Sequence, residues 1–131
     1  MASLVFDACA LVAFAYDEEG ADFLETYLAN EQNACFVHSL NFCEAYRRSS
    51  KRDAARMVEE FLETGLILRD DMDIELWQDA GELKAIHKKV SVADCCAIAL
   101  AKRLDADLVT SDHHELDALA DLGVCKITFF R

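Results

Sequence analysis

The chain has 131 residues, of which 53% are hydrophobic and 29% are charged, so the composition suits one folded domain and excludes disordered, collagen-like and coiled-coil classes. Its 25 acidic and 13 basic residues give a formal net charge of -12, which repels nucleic acids and anionic membrane surfaces unless a local basic patch exists. Four glycines and no proline favour helices joined by short connections over a turn-rich β-sandwich.

Short apolar runs separated by longer helical stretches predict an α/β domain. The runs do not alternate with polar residues, as expected for strands covered on both faces, and lie at residues 4–6, 35–37, 66–68, 108–110 and 124–130. The segments between them have the apolar spacing of helices and lie at residues 8–16, 20–31, 39–49, 51–64, 73–89, 92–104 and 113–121. We therefore expect a single domain over residues 1–131 with a central, mainly parallel sheet.

The cysteine pattern predicts a protein of the reducing cytoplasm. Six cysteines are present, but no CxxC spacing occurs, two of them are adjacent, and most lie in apolar runs as small hydrophobic residues do. Residues 1–16 are apolar but contain Asp7 and lack the basic start of a signal peptide. No apolar run reaches the length of a membrane span, so we expect no membrane association.

Acidic side chains follow two of the predicted strands. Asp7 comes directly after the first strand, and Asp112 comes just after the strand at 108–110. The carboxyl ends of parallel strands share one edge of a sheet, and ligands bind there in open α/β folds. Glu44 and Asp94 lie on predicted helices that reach the same edge. Because carboxylates brought close together raise one another's pKa, this cluster predicts a hard divalent cation, Mg²⁺ or Mn²⁺.

Each of these acids also has a purely structural interpretation. Asp7 and Asp112 are suitable N-caps for the helices that follow them, and residues 91–94 and 112–115 have capping-box spacing. Glu44 precedes Arg47 and Arg48 by three and four residues, a spacing that stabilises an exposed helix. The apolar residues around each acid favour a buried site, but both interpretations stay open at this point.

Four segments of the chain resemble the PIN-domain ribonucleases, and in size and order they are most similar to the VapC-type toxins of toxin-antitoxin pairs. The segments are LVFDACAL at residues 4–11, SLNFCE at 39–44, SVADCCAIALA at 91–101 and ADLVTSD at 106–112. The resemblance implies a PIN-like three-layer α/β/α sandwich. It also implies RNA phosphodiester hydrolysis in a pocket where one or two Mg²⁺ or Mn²⁺ ions are held by Asp7, Glu44, Asp94 and Asp112.

The same resemblance implies supporting residues and partners. Thr110 would hydrogen-bond a carboxylate or the attacking water, although its other interpretation is an ordinary strand residue. A cognate antitoxin protein would place a helix in an apolar groove and a basic side chain in the acidic pocket, and the chain would form a homodimer. Candidate groove residues are Phe23, Leu24, Tyr27, Leu28, Tyr46, Met57, Phe61 and Leu62, most of which core packing explains equally well. One position departs from the family, because Cys9 stands where members commonly have Ser or Thr.

Binding of RNA by so acidic a chain requires a basic surface near the pocket. Arg47, Arg48, Lys51 and Arg52 supply such a segment, which continues to Arg56 and begins three residues after the predicted ligand at position 44. A second group of cations consists of Lys84, Lys88 and Lys89. A solvated helix face is the structural alternative for both groups.

Two other functions are compatible with the same residues. The first is a PIN-fold protein that has lost catalysis and only binds a partner, which the substitution at Cys9 and the negative field make worth testing. The second is a receiver domain of the response-regulator type, in which Asp7, Thr110 and Lys126 would have the phosphorylation roles. The receiver pattern fits less well, since the first strand ends in a single acid.

Overall fold

The computed structural model describes residues 2–131, apart from the side chain of Lys51. The strands are β1 (Ser3–Phe6), β2 (Ala34–His38), β3 (Ile67–Arg69), β4 (Asp107–Thr110) and β5 (Ile127–Phe129). The helices are α1 (Ala8–Ala15), α2 (Ala21–Ala29), α3 (Ser39–Arg48), α4 (Lys51–Glu63), α5 (Ile74–Ile86), α6 (Val92–Leu104) and α7 (His113–Asp121). None of these helices, within the described range, is both long and apolar enough to cross a lipid bilayer.

The strands form one sheet in the order β3-β2-β1-β4-β5. The central strand is β1, where Phe6 lies opposite Val37 of β2 and Val109 of β4. Every strand pairing found in residues 2–131 is parallel, which confirms the predicted parallel sheet. The chain runs outward from β1 through β2 to β3 and then returns to β4 on the other side. The strand order therefore reverses between β1 and β4, the position at which open α/β sheets bind ligands.

Helices cover both faces of the sheet. Successive side chains of β1 point to opposite faces, so Leu4 and Phe6 pack with residues of α1 to α4, whereas Val5 packs with residues of α5 to α7. All three side chains are buried. This confirms the predicted three-layer α/β/α sandwich and explains why the strand is apolar throughout instead of alternating.

The last strand is shorter than the apolar run that predicted it. The run covers residues 124–130, but only Ile127–Phe129 pair with β4. Val124 and Cys125 follow Gly123, whose φ of 68° turns the chain after α7. They pack against the core beneath α6 and α7 as loop residues, so their apolar character reflects packing and not strand pairing.

The C-terminal segment is packed tightly against the start of α2. Gly20 has a φ of 90°, and a Cβ built there would lie 2.6 Å from Cδ2 and 2.8 Å from the carbonyl oxygen of Phe130. Phe130 is itself buried in the core formed with α1 to α4. Only a residue without a side chain leaves room for this contact.

We predict that Gly20→Ala lowers the free energy of unfolding by more than about 1 kcal/mol, because it adds both a steric clash and backbone strain. Gly65→Ala is the matched control, since Gly65 has a φ of 83° but no atom within 4 Å of an added Cβ. Urea unfolding of the two variants separates the clash from the strain. Equal losses of stability would contradict the close approach of Phe130 to Gly20.

Candidate active site

Asp7 and Asp112 lie where β1 and β4 end side by side. The backbone N–H of Asp7 donates to the carbonyl oxygen of Val109 at 3.2 Å, which continues the strand pairing one residue beyond β1. Asp112 follows β4 after a single intervening residue. The structure therefore places both acids at one edge of the sheet, at the point where the strand order reverses.

The carboxylate of Asp7 is buried, and both of its oxygens are held by the chain itself. Oδ1 accepts a hydrogen bond from the N–H of Ala10 at 2.9 Å, so Asp7 is the N-cap of α1. Oδ2 accepts a hydrogen bond of 2.5 Å from the hydroxyl of Thr110. The pKa of Asp7 is raised to about 6, mainly by burial and also by the charge of the nearby Asp112, while the two hydrogen bonds act to lower it. Asp7 is thus both the N-cap of a helix and a member of the acidic site.

Thr110 connects the two acids at the strand ends. Its hydroxyl donates to Asp7 and accepts a hydrogen bond of 3.0 Å from the backbone N–H of Asp112. The residue is buried at the end of β4. A strand residue without this hydroxyl would leave the carboxylate of Asp7 and the N–H of Asp112 without these hydrogen bonds. Thr110 is therefore more than an ordinary strand residue.

Asp112 also belongs to a group of three carboxylates that lie close together. Ligand oxygens of Asp94, Asp112 and Glu115 all lie within 4.8 Å of one another. Asp94 lies in the first turn of α6, and Asp112 caps α7 by accepting a hydrogen bond of 3.0 Å from the N–H of Glu115. Burial raises the pKa of Asp94, and the negative charge of Asp7 and a hydrogen bond with Glu115 add to this effect. The ionised form of Asp94 is therefore costly unless a positive charge is present.

The carboxylates open into a cavity of about 180 Å³. Its wall comes from the starts of α1, α6 and α7 and from one side of α3, and consists of Ala8, Cys9, Asn41, Glu44, Arg48, Ser91, Ala93, Asp94, Asp112 and Glu115. Glu44 thus reaches the cavity from α3, where its Oε1 accepts a hydrogen bond of 2.9 Å from Arg47. Asp7 is fully buried and is absent from the described residues that line the cavity.

Two side chains fix α3 at this position. His38 caps the helix with Nδ1, so Nε2 carries the proton and donates to the carbonyl oxygen of Asp71 at 2.8 Å. Asn41 is buried and donates from Nδ2 to the carbonyl oxygen of Ala93 at 3.0 Å. The first contact ties α3 to the segment before α5, and the second ties it to the residue before Asp94. Together they place Glu44, one helical turn after Asn41, beside the carboxylate cluster.

Two cysteines near the acids, Cys9 and Cys95, have raised pKa values. Burial raises the pKa of Cys9 to about 11, and the charge of Asp7 acts in the same direction. Burial likewise raises the pKa of Cys95 to about 11. Thiolates are the form that binds soft metals, so such a metal would have to displace a proton from either thiol. The Sγ of Cys9 accepts a long hydrogen bond of 3.9 Å from Nη1 of Arg48.

The structure separates the predicted RNA-binding residues. Arg48 lines the acidic cavity, whereas Arg47 pairs with Glu44 and Arg52 is exposed on α4 outside the cavity wall. The side chain of Lys51 lies outside the described residues. In the second group of cations, Nζ of Lys84 donates to the carbonyl oxygens of residues 88 and 90, each at 2.7 Å. Lys84 therefore holds its own loop together.

Glu115 is the acidic residue that sequence reasoning missed as a candidate ligand. Its spacing from Asp112 was attributed to a capping box, and that hydrogen bond is present. The same three-residue spacing on a helix also puts the two carboxylates on one face. The sequence signal for a third candidate ligand was therefore an acidic residue three positions after the N-cap residue Asp112.

A comparison of the sequence with models of protein families identifies the family of this fold. The sequence model of the PIN domain family matches residues 4–122. The chain belongs to the PIN domain family. A comparison with curated protein sequences gives no match. Family membership excludes the receiver alternative, and so does Lys126, which precedes β5 and lies at the opposite edge of the sheet from Asp7.

Several solved structures share the fold. A toxin-antitoxin complex from Klebsiella pneumoniae aligns with a TM-score of 0.74 and 16% identity over 98% of each chain. DNA-bound VapBC from Salmonella typhimurium aligns with a TM-score of 0.73 and 17% identity over 100% of each chain. The toxin VapC20 from Mycobacterium tuberculosis, which cleaves the sarcin-ricin loop, aligns with a TM-score of 0.70 and 15% identity over 88% of this chain and 94% of that chain. Identities this low establish a common fold, so function is argued from the site.

The raised pKa of Asp7 predicts a pH-dependent stability without metal. The folded protein binds a proton at Asp7 up to about pH 6, whereas the unfolded chain releases it near 3.8. The free energy of unfolding therefore falls as pH rises through this window. In EDTA, urea unfolding from pH 4 to 7 should show a fall that is larger, by about 3 kcal/mol at most, in the wild type than in Asp7→Asn.

Asp121→Asn, which changes an exposed residue on α7, is the matched control and should follow the wild type at every pH. A difference between the wild type and Asp7→Asn that stays constant with pH would contradict the buried, proton-binding carboxylate.

Proposed function

We propose that the chain is a metal-dependent endoribonuclease that acts as the toxin of a type II toxin-antitoxin pair. The observation that carries this proposal is the convergence of Asp94, Asp112 and Glu115 within 4.8 Å in a cavity at the switch point of a PIN-family sheet. Its substrate is RNA, and its catalytic residues are Asp7, Glu44, Asp94, Asp112 and Thr110, with Glu115 added as a ligand.

The carboxylate cluster fits Mg²⁺ or Mn²⁺. Such ions take hard oxygen ligands, and the three acids offer carboxylate oxygens that all lie within 4.8 Å of one another. Asp94, Asp112 and Glu115 would hold the ion, with Glu44 facing it from α3. When bound, the ion lowers the pKa of a coordinated water and neutralises charge that develops on the phosphate.

The chain's own groups orient the reaction around that site. Thr110 holds the carboxylate of Asp7 and the backbone of Asp112, so the two strand ends keep a constant separation. Arg48 brings a guanidinium into the cavity wall, and its contact there is to the neutral thiol of Cys9. A neutral thiol is a weak acceptor, so the guanidinium can exchange it for a phosphate oxygen, which is a strong one.

The proposal of a toxin role is based on the structural relatives, which include toxin-antitoxin complexes from Klebsiella pneumoniae and Salmonella typhimurium. We propose an antitoxin helix as the partner of the face formed by α2, α3 and α4, where Phe23, Tyr46 and Leu62 are exposed. The groove predicted from sequence needs correction, because Leu24, Met57 and Phe61 are buried in the core. A homodimer and a cytoplasmic location stay predictions.

A binding-only PIN protein is the second candidate, and one observation favours it. Both oxygens of Asp7 are occupied by Thr110 and Ala10, so Asp7 serves the fold in the absence of any cation. The same experiment decides between the two candidates, since a binding-only protein has no metal-dependent cleavage.

We predict that the purified protein cleaves stem-loop or single-stranded RNA with Mg²⁺ or Mn²⁺ and is inactive in EDTA. Asp94→Asn and Glu115→Gln should each lower the cleavage rate at least about 100-fold, because each removes a charged ligand oxygen from the cation site. Asp121→Asn, prepared identically, is the control on α7. Equal rates in all variants would indicate a contaminating nuclease, and the absence of cleavage in the wild type would favour the binding-only protein.

A separate prediction concerns the arginines. Arg48→Ala should raise the KM for RNA about tenfold or more, because it removes a charged hydrogen-bond donor from the cavity, and should not weaken Mn²⁺ binding. Arg52→Ala changes an exposed residue outside the cavity wall and should have a smaller effect on KM. Steady-state kinetics at one fixed salt concentration measure both. A larger effect at Arg52 would place the RNA on α4 instead of over the cavity.

A further inference from the structure

Asn41 has an unusual hydrogen-bond pattern for a buried amide. Its side chain is 0% exposed on α3, and Nδ2 donates to the carbonyl oxygen of Ala93 at 3.0 Å. Its Oδ1 is enclosed and has no hydrogen-bond partner, alone among the buried side-chain nitrogen and oxygen atoms of the described residues. A buried acceptor without a donor is unfavourable, and native structures contain few of them.

The orientation of this amide follows from its surroundings. If the amide were turned over, Oδ1 would face the carbonyl oxygen of Ala93, and two acceptors would oppose each other. Nδ2 therefore stays on Ala93, and Oδ1 is left to face another group. The unpartnered oxygen is a consequence of the fold and not of an arbitrary assignment of the two amide atoms.

No donor among the described residues reaches this oxygen. Asn41 lines the acidic cavity together with Glu44, Asp94, Asp112 and Glu115, whose carboxylates, when ionised around a cation, only accept hydrogen bonds. The guanidinium in the cavity wall, on Arg48, has its hydrogen bond with Cys9. Oδ1 is closed off from bulk solvent, and water is the smallest hydrogen-bond donor that could satisfy it from the cavity side.

We propose that Asn41 is a positioning residue of the cation site, and that its Oδ1 accepts a hydrogen bond from a water molecule that ligates a divalent cation held by the carboxylates. This role of Asn41 rests on the cation site of the proposed function. It adds to that site a residue from α3, whereas Asp7 and Asp112 follow the ends of β1 and β4. One side of the amide ties α3 to the start of α6, next to Asp94, and the other side orients the water. A single side chain thus sets both the position of a ligand and the direction of a coordinated water.

Mn²⁺ binding to the full chain without RNA tests this inference. We expect Asn41→Ala to weaken Mn²⁺ binding about tenfold by calorimetry, because partners of metal ligands and their waters typically contribute 10- to 100-fold. We also expect water on the bound Mn²⁺ to exchange several-fold faster, as measured by ¹⁷O relaxation. Loss of a structural tether alone would not release a coordinated water in this way.

Asn33→Ala is the matched control, since Asn33 also donates from Nδ2 to a backbone carbonyl, that of Tyr27 at 3.2 Å, and is absent from the described wall of the acidic cavity. It should bind Mn²⁺ as the wild type does, and urea unfolding in EDTA gives the structural cost of each variant. Asn41→Leu, which keeps the volume, carries the same expectation if the alanine variant does not fold.

Wild-type affinity and water exchange in Asn41→Ala or Asn41→Leu would overturn the role of Asn41 while leaving the cation site intact. No Mn²⁺ binding by the wild type would overturn the cation site and this inference together. The two failures are therefore distinguishable in one series of titrations.

Discussion

The hydrogen bond from Thr110 to Asp7 holds the site together, because it joins the ends of β1 and β4 at the place where the sheet reverses its strand order. Thr110 also receives the N–H of Asp112, so the start of α7 is fixed relative to the start of α1. Two helix N-termini therefore face one another across a narrow edge. Positive helix ends of this kind favour negative side chains, which lets several carboxylates occupy one small volume.

Much of this arrangement follows from local sequence. The strands and helices arise from apolar runs and helical spacing, and the chain order alone puts Asp7 and Asp112 on one sheet edge once the sheet is parallel. Each short-range capping bond is also visible in the spacing of its residues, as for Ser91, whose Oγ accepts from the N–H of Asp94 at 3.1 Å. These features depend on neighbours within one helical turn, so sequence patterns report them well.

The features that sequence did not predict depend on contacts between distant elements. Asn41 reaches Ala93 across 52 residues, and Arg48 reaches Cys9 across 39. Neither contact has a periodic pattern. Helical spacing puts Asn41, Glu44 and Arg48 on one side of α3, but it does not indicate which distant residues they contact. Glu115 was missed for a different reason: one spacing served two purposes, and the capping purpose was the one recognised.

The net charge of -12 opposes binding of the proposed RNA substrate, but the carboxylates of the site would also hold the cation that attracts it. Without a cation, burial raises the pKa of Asp7 and Asp94, so the site lowers its own charge by holding protons. A divalent cation replaces those protons, and its affinity therefore rises with pH. A bound cation would present positive charge at the surface of the cavity, and Arg48 adds a positive charge in its wall. The rest of the acidic surface would repel RNA, so productive binding of the proposed substrate would be confined to segments that reach the cavity.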